Sequence, residues 1–394
     1  MKKSIKFADD VFDDDEEESN RSKFNSRVSF ARPSIVQLDN YNLSSNQTFT
    51  VELRLIILKI GSISTKENKF SCEAFLEASW YDKNIGKNSK FFDANKLKYD
   101  EKHHWNPHLY IQNLLSHQSQ EIWYNVEQCS KGCKISERRR FKGEFSQTFQ
   151  LKNYPLDLQE LTINISSFRT SQEIDLVIST EKLSSINVST FTQTHEWTLF
   201  QTVCSSQMTK TNDITNENQS SMDISVCVMR KPNYYYWNSF LLAFIITMIC
   251  LCCFAISCDL SGNRNIVATT VLLTLITFKW SVTKNLPSLS YLTILDQYTL
   301  MNIIIVFGNN IYFALMGVFA KETCPAPFRQ IDFYVFIGST SLFYLLNSIQ
   351  VLRFFFIKYK NRKMLLHRED EYNKNNTAKR ARIKSIFQNA SFTE

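Results

Sequence analysis

The stretch RNIVATTVLLTLITFKWSVTKNLP, from Arg264 to Pro287, decides how the rest of the chain reads. It is apolar over about 20 residues, enough to cross a bilayer as a helix. Thr269, Thr270, Thr274, Thr277 and Ser281 nevertheless interrupt the aliphatics, which makes it too polar for a purely lipid-facing span. On a helix, Ile266, Thr270, Leu273, Thr277 and Lys284 share one face. A helix turning that stripe to water, and Val271, Leu272, Leu275 and Ile276 to protein, suits the wall of an aqueous pore. An ordinary bundle helix whose threonine hydroxyls bond back to the preceding turn is the other reading.

Three more apolar segments surround this one, at about Trp237–Ser257, Tyr298–Phe319 and Phe333–Phe356, each long enough to span. The links between them are short, so the four are expected as an up-down bundle, within a unit covering residues 232–358. Upstream the pattern changes to period two. VELRLIILKI after Thr50 and FSCEAFLEASWYD from Phe70 read as strands, with others at Leu109–Gln112, Glu121–Val126, Lys134–Glu144, Phe145–Leu151, Gln159–Phe168, Ile174–Ile178, Glu196–Val203 and Met222–Arg230. Many short strands without a helix imply an antiparallel β-sandwich over residues 46–231. Residues 1–45, with the acidic run Asp13–Glu18, read as disordered, and 359–394 as a basic C-terminal tail.

Composition excludes several classes. The 394 residues carry a net charge of +7 and only 8 glycines. No basic stripe interleaved with stacking aromatics suggests nucleic-acid binding. No phosphate loop, HExxH or GxSxG pattern is present, so an enzyme is not expected, nor any cofactor. Ten cysteines do not make a dense framework. Cys129 and Cys133 in CSKGC form one candidate disulfide, and Cys204 with Cys227, flanking a polar loop, another. Zinc is disfavoured because no second ligand pair follows. Cys250, Cys252, Cys253 and Cys258 read as small apolar residues in or beside a span. Sequons at Asn46, Asn164, Asn187 and Asn218 hint at a lumenal face.

A β-sandwich followed by four spans, the second rich in threonine and closed by proline, resembles the pentameric ligand-gated ion channels, the Cys-loop receptor superfamily. The likeness runs from about Thr48 to Lys358. Trp80-Tyr81-Asp82 is similar to the W-x-D of the second strand, and Trp105-Asn106-Pro107 with Asn113 to the motif opening the first binding loop. Tyr154-Pro155-Leu156-Asp157-Leu158-Gln159 resembles the signature loop. Arg230 stands where the family keeps an arginine before the first span, and Leu286 to Tyr291 resemble the loop between spans two and three. Gln147 and Leu161 occupy the positions of the loop cysteines. In that respect, and in its short third link, the chain resembles the microbial branch.

The resemblance implies a homo- or heteropentamer, with a small molecule or proton binding between subunits and inorganic ions passing along the second spans. Arg264 would sit at the inner mouth, Leu273 would be a hydrophobic gate, and Thr270 and Thr277 would offer hydroxyls on either side of it. Asn263, where cation channels place a carboxylate, and Lys284, an outer basic ring, argue for anions. Asp259 and the likeness of Ser261-Gly262 to cation channels argue the other way, and the resemblance leans to cations. Coupling between the halves would rest on Asp157, Arg230 and Glu67, with Pro287 and Tyr291 pressing on the signature loop. Phe75 and Phe168 fall where two ligand-box aromatics would be, or are core residues, while Gln112 replaces a third aromatic. A membrane-tethered binding protein or non-conducting auxiliary subunit is the alternative.

The family pattern places both termini outside the cytosol. The basic tail and the lack of a visible signal peptide point the opposite way. The plasma membrane is the expected location, with an internal membrane as the alternative.

Overall fold

The computed structural model describes residues 48–82, 99, 104–129, 132–179, 181–211, 217–284, 286–319 and 326–390. The acidic segment 1–45, Asn46, and part of the loop between Cys204 and Cys227 lie outside these residues.

Among the described residues, ten strands form two sheets. They are β1 (Phe49–Ser64), β2 (Lys69–Asp82), β3 (Leu109–Ile111), β4 (Leu114–Cys129), β5 (Gly132–Ser146), β6 (Leu158–Thr170), β7 (Ile174–Ile178), β8 (Ser185–Ile186), β9 (Trp197–Thr211) and β10 (Asn218–Arg230). One sheet runs β4-β5-β2-β1-β7, with β8 also on β1, and the other β3-β6-β10-β9. Contrary to a wholly antiparallel expectation, β7 and β8 lie parallel to β1.

Alternation places the core. On β2, Phe70, Cys72, Ala74, Leu76, Ala78 and Trp80 point inward, facing Leu161, Ile163 and Ile165 of β6 and Met222, Ile224, Val226 and Val228 of β10 across the sandwich. On β1 the inward set shifts from Ile57 to Ile60 and again to Ile63, because the register with β2 slips at both places. Each slip re-phases the side chains that follow, keeping isoleucine inside.

The expected strand Phe145–Leu151 does not exist. Its first two residues end β5, where Ser146 N–H bonds Asn113 O and Gln147 N–H just beyond bonds Asn68 O, both at 2.8 Å. Asn113 ties this corner together. Its amide donates to Thr162 O (2.7 Å) and Ser146 O (3.1 Å), and its carbonyl accepts from Asn164 N–H (3.1 Å). One side chain thus stitches β5 of one sheet to β6 of the other. At about 1 kcal/mol net per bond, Asn113→Ala should destabilise the sandwich by about 2–3 kcal/mol. A fall of several degrees in the unfolding midpoint of the detergent-solubilised protein would show it.

Four helices follow: α1 (Asn233–Ala255), α2 (Ser261–Thr283), α3 (Ile294–Phe319) and α4 (Ala326–Ala390). All four have stretches long and apolar enough to cross a membrane. Between them, polar side chains pair in the bundle interior. Thr247 bonds Asn302 at 3.2 Å, Tyr298 bonds Asn347 at 2.9 Å and Ser339 bonds Asn309 at 2.8 Å. In hydrocarbon such bonds have no water to compete with them. Helix α4 does not stop near Phe356. Its 65 residues, at about 1.5 Å each, run to about 100 Å, some three times the hydrocarbon thickness. The segment expected as a separate tail is therefore, up to Ala390, the continuation of the fourth helix.

The cysteines differ from expectation. Cys204 and Cys227 are free thiols, Cys133 is buried, and the side chain of Cys129 is outside the described set. Cys204 faces Ser225 across the β9–β10 ladder, so the ladder does not set it opposite Cys227. Cys258, read as a small apolar residue, is disulfide-bonded.

Candidate functional site

The candidate residues fall in three separate regions: the sheet–helix junction, the free face of α2, and the aromatic surfaces of the sandwich. At the junction, β10 ends in Arg230, one residue of peptide away from the Lys231-Pro232 step into α1. The Arg230 side chain is 2% exposed and that of Asp157 1%. Nε of Arg230 donates to Oδ1 of Asp157 at 2.9 Å, and its backbone N–H to Asp157 O at 3.2 Å. The other Asp157 oxygen accepts from Gln159 at 2.8 Å. A second carboxylate, Glu196, pairs with Nη1 of Arg230. The guanidinium lies 4.1 Å from the Trp197 ring centre and 5.0 Å from that of Tyr154. Burial alone would lower the Arg230 pKa, but the Asp157 charge and hydrogen bond raise it overall.

Glu67 is not part of this centre. It pairs with Lys69 at 2.7 Å, in the turn between β1 and β2. Glu196 takes the third place because β9 pairs Trp197 opposite Arg230, bringing its neighbour along. Only that pairing signals it, since no local motif around Glu196 does.

The signature loop bears on the helices. Leu156 is buried with Ile294 of α3 and Ile357 of α4, and Tyr236 and Phe354 pack around them. Leu151 N–H donates to the Tyr291 hydroxyl at 3.0 Å. Leu286 is buried and Pro287 half-buried in the loop ahead of α3. Thr293 caps α3 reciprocally with Asp296, each accepting a backbone N–H at 3.1 Å. With glutamine and leucine at the cysteine positions, the loop neck is held by hydrogen bonds. Thr162 N–H donates to Gln147 Oε1 at 3.1 Å, and Gln159 bonds both backbone groups of Gln150 at 3.0 and 3.2 Å.

Along α2, Arg264, Ala268, Val271 and Leu275 are buried. Ile266, Thr270, Leu273, Thr277, Trp280 and Lys284 are exposed, Leu273 at 62%. At about 100° per residue the two sets lie on opposite sides of the helix. Ile276, expected to face protein, is exposed, and Leu272 is half-buried. The threonine hydroxyls do bond back: Thr270 to Ile266 O at 2.9 Å, Thr274 to Thr270 O at 2.8 Å and Thr277 to Leu273 O at 3.1 Å. The back-bonding and the exposed stripe thus coexist.

Arg264 departs from the expected inner-mouth position. It does not face the free side of α2 but is 1% exposed inside the bundle. It bonds both oxygens of Asp332 on α4, at 2.8 and 2.9 Å, and the Ile256 carbonyl at 2.7 Å. Tyr312 of α3 donates to the same carboxylate at 3.1 Å. A guanidinium out of water needs a carboxylate, and Asp332 supplies it from 68 residues away.

The two box phenylalanines do not meet within one chain. Phe168, on β6, stacks on Tyr110 with centroids 4.2 Å apart. Phe75, on β2 in the other sheet, is half-buried against Trp123 at 5.7 Å. Gln112 accepts from Lys210 at 3.1 Å, and Lys210 pairs with Asp223 at 3.5 Å. Two residues beyond Phe75, the buried Glu77 receives Arg54, Arg138 and Lys182. Burial raises the Glu77 pKa, but its bonds to Lys182 and Arg54 lower it overall.

Residues 38–232 match the neurotransmitter-gated ion-channel ligand binding domain family. The chain belongs to the Cys-loop receptor superfamily. Among its superfamily relatives, a neuronal acetylcholine receptor subunit beta-4 of Gallus gallus is 22% identical over 291 residues, 68% of this chain and 57% of that one. A gamma-aminobutyric acid receptor subunit beta of Caenorhabditis elegans is 22% identical over 283 residues, 67% and 48% respectively. One of Lymnaea stagnalis is 23% identical over 185 residues, 45% and 35%. The chain spans about half the length of the curated relatives it matches. These Cys-loop relatives are receptor subunits rather than enzymes, and with its four apolar helices the chain is a multi-pass membrane protein.

Proposed function

We propose that the chain is a subunit of a pentameric ligand-gated ion channel. Ligand binding between the sandwiches of neighbouring subunits opens a pore lined by α2, and ions pass down their gradient. The observation that carries this reading is the stripe of Ile266, Thr270, Leu273, Thr277 and Lys284, exposed opposite the helix's own packed face. A helix with one face packed and a hydroxyl-bearing face left over suits a shared aqueous axis. Phe75 and Phe168 lie on separate sheets, which suits a ligand site completed by the next subunit. Arg230, Asp157, Leu156 and Tyr291 carry the motion from sandwich to bundle.

Cation selectivity is the finer proposal. The Thr270, Thr274 and Thr277 hydrogens are spent on backbone carbonyls, so their oxygens offer lone pairs outward. Arg264, neutralised by Asp332, adds no positive ring at the inner mouth. Expression of this chain alone in a voltage-clamped cell, with sodium and chloride replaced in turn, tests both levels. A ligand-evoked current whose reversal potential follows sodium is expected. One that follows chloride would overturn the selectivity, and a correctly folded surface pentamer that passes no current under any ligand would favour the auxiliary-subunit reading.

A further inference from the structure

The part of α4 beyond the bundle has one face that is not solvent. Ile357, Asn361 and Leu365 are buried, whereas Phe355 and Phe356 just before them and Tyr359 among them are exposed. With Arg368 and Tyr372 they recur at steps of four, four, three and four, a single helical stripe. That stripe meets the sandwich along its length. Asn361 donates to the Leu156 carbonyl of the signature loop at 2.7 Å. Arg368 pairs with Glu160 at 2.5 Å and donates to the Cys227 sulfur at 3.1 Å. Tyr372 donates to Ser184 O at 3.4 Å.

Glu160 and Cys227 are cross-strand partners on β6 and β10. Asp157 lies three residues before Glu160, and Arg230 three residues after Cys227. Arg368 therefore clasps the same two strands that hold the buried ion pair, about 10 Å further from the membrane at about 3.3 Å per residue. We propose that the extension of α4 is a strut in which Arg368, as a positioning residue, holds β6 and β10 and thereby sets the resting position of the Arg230–Asp157 centre. This rests on the channel reading for its effect on gating, but not for the contact itself.

Two readouts on the full-length protein separate these layers. Cys227 has no exposed surface and sits behind Arg368. Peptide mass spectrometry of Cys227 labelling by a membrane-impermeant maleimide therefore reports the contact without any current. Arg368→Glu is expected to speed that labelling about tenfold, as local opening becomes easier. The second readout is the ligand-free leak current in a Leu273→Ser background. There Arg368→Glu is expected to change the leak about fivefold or more, the low end of ordinary allosteric coupling. Adding Glu160→Arg should restore both values, which separates a specific pairing from general damage. Should Arg368→Glu not reach the surface, Arg368→Gln serves in the same two assays. Labelling left at the wild-type rate would overturn the strut whether or not the protein conducts. Faster labelling with an unchanged leak would overturn its role in gating. No leak in Leu273→Ser itself would instead strike at the channel reading, and with it the gating role, leaving the contact to the labelling result.

Discussion

Arg230→Ala is expected to reduce evoked current to background. The substitution leaves Asp157, 1% exposed, as a carboxylate without its cation. Removing one partner of such a buried pair costs about 3–5 kcal/mol, a large share of the stability of a domain. It also removes the group stacked on Trp197 and joined to Glu196, at the point where β10 becomes α1. Arg230→Lys keeps the charge but not the planar contact with the indole, and should give reduced, right-shifted responses rather than none. Current measured together with surface labelling separates loss of assembly from loss of gating. Normal currents from Arg230→Ala would remove this residue from the coupling pathway.

Leu273→Ser is expected to make the protein leak without ligand. Five leucines around an axis form an apolar constriction that excludes water, and an ion crossing it must shed hydration. A hydroxyl at each position favours the wet state by about 1 kcal/mol per subunit, on the scale of a methylene or two withdrawn from water. Over five subunits the sum approaches the about 5.5 kcal/mol that carries a two-state equilibrium from 1:99 to 99:1. The check is the holding current in the absence of ligand, compared with wild type at matched surface expression. Leu275→Ser is the control, since Leu275 is buried on the opposite face and should impair folding instead. A silent Leu273→Ser at normal expression would take Leu273 out of the gate.

What could be read in the residues, and what could not, follows the reach of each signal. Local periodicities carried the architecture. Period two placed β1 and β2, and the three-to-four spacing of Ile266, Thr270, Leu273 and Thr277 marked a single face of α2. The signal failed where a partner arrives from far along the chain. The resemblance implies a pore-mouth position for Arg264, but the carboxylate that turns it inward, Asp332, sits 68 residues on. Glu67 is the expected second carboxylate at Arg230, but the β9–β10 register brings Glu196 there instead, and nothing local in the sequence signals it. Spacing along a loop suggests a Cys204–Cys227 bridge, but the ladder opposes Cys204 to Ser225. Nor does composition reveal where α4 ends. Its residues beyond Phe356 are polar enough to read as a tail, yet Asn361, Leu365 and Arg368 keep a helical stripe that only the surface of the sandwich explains.

A three-dimensional map of the purified full-length complex, by single-particle electron microscopy, decides whether α2 lines a shared pore. Five copies are expected around one axis, with α2 of each turning Thr270, Leu273 and Thr277 toward the centre, and Arg264 held outward by Asp332. A complex of another order, or a central passage lined by α1, α3 or α4, would contradict that arrangement.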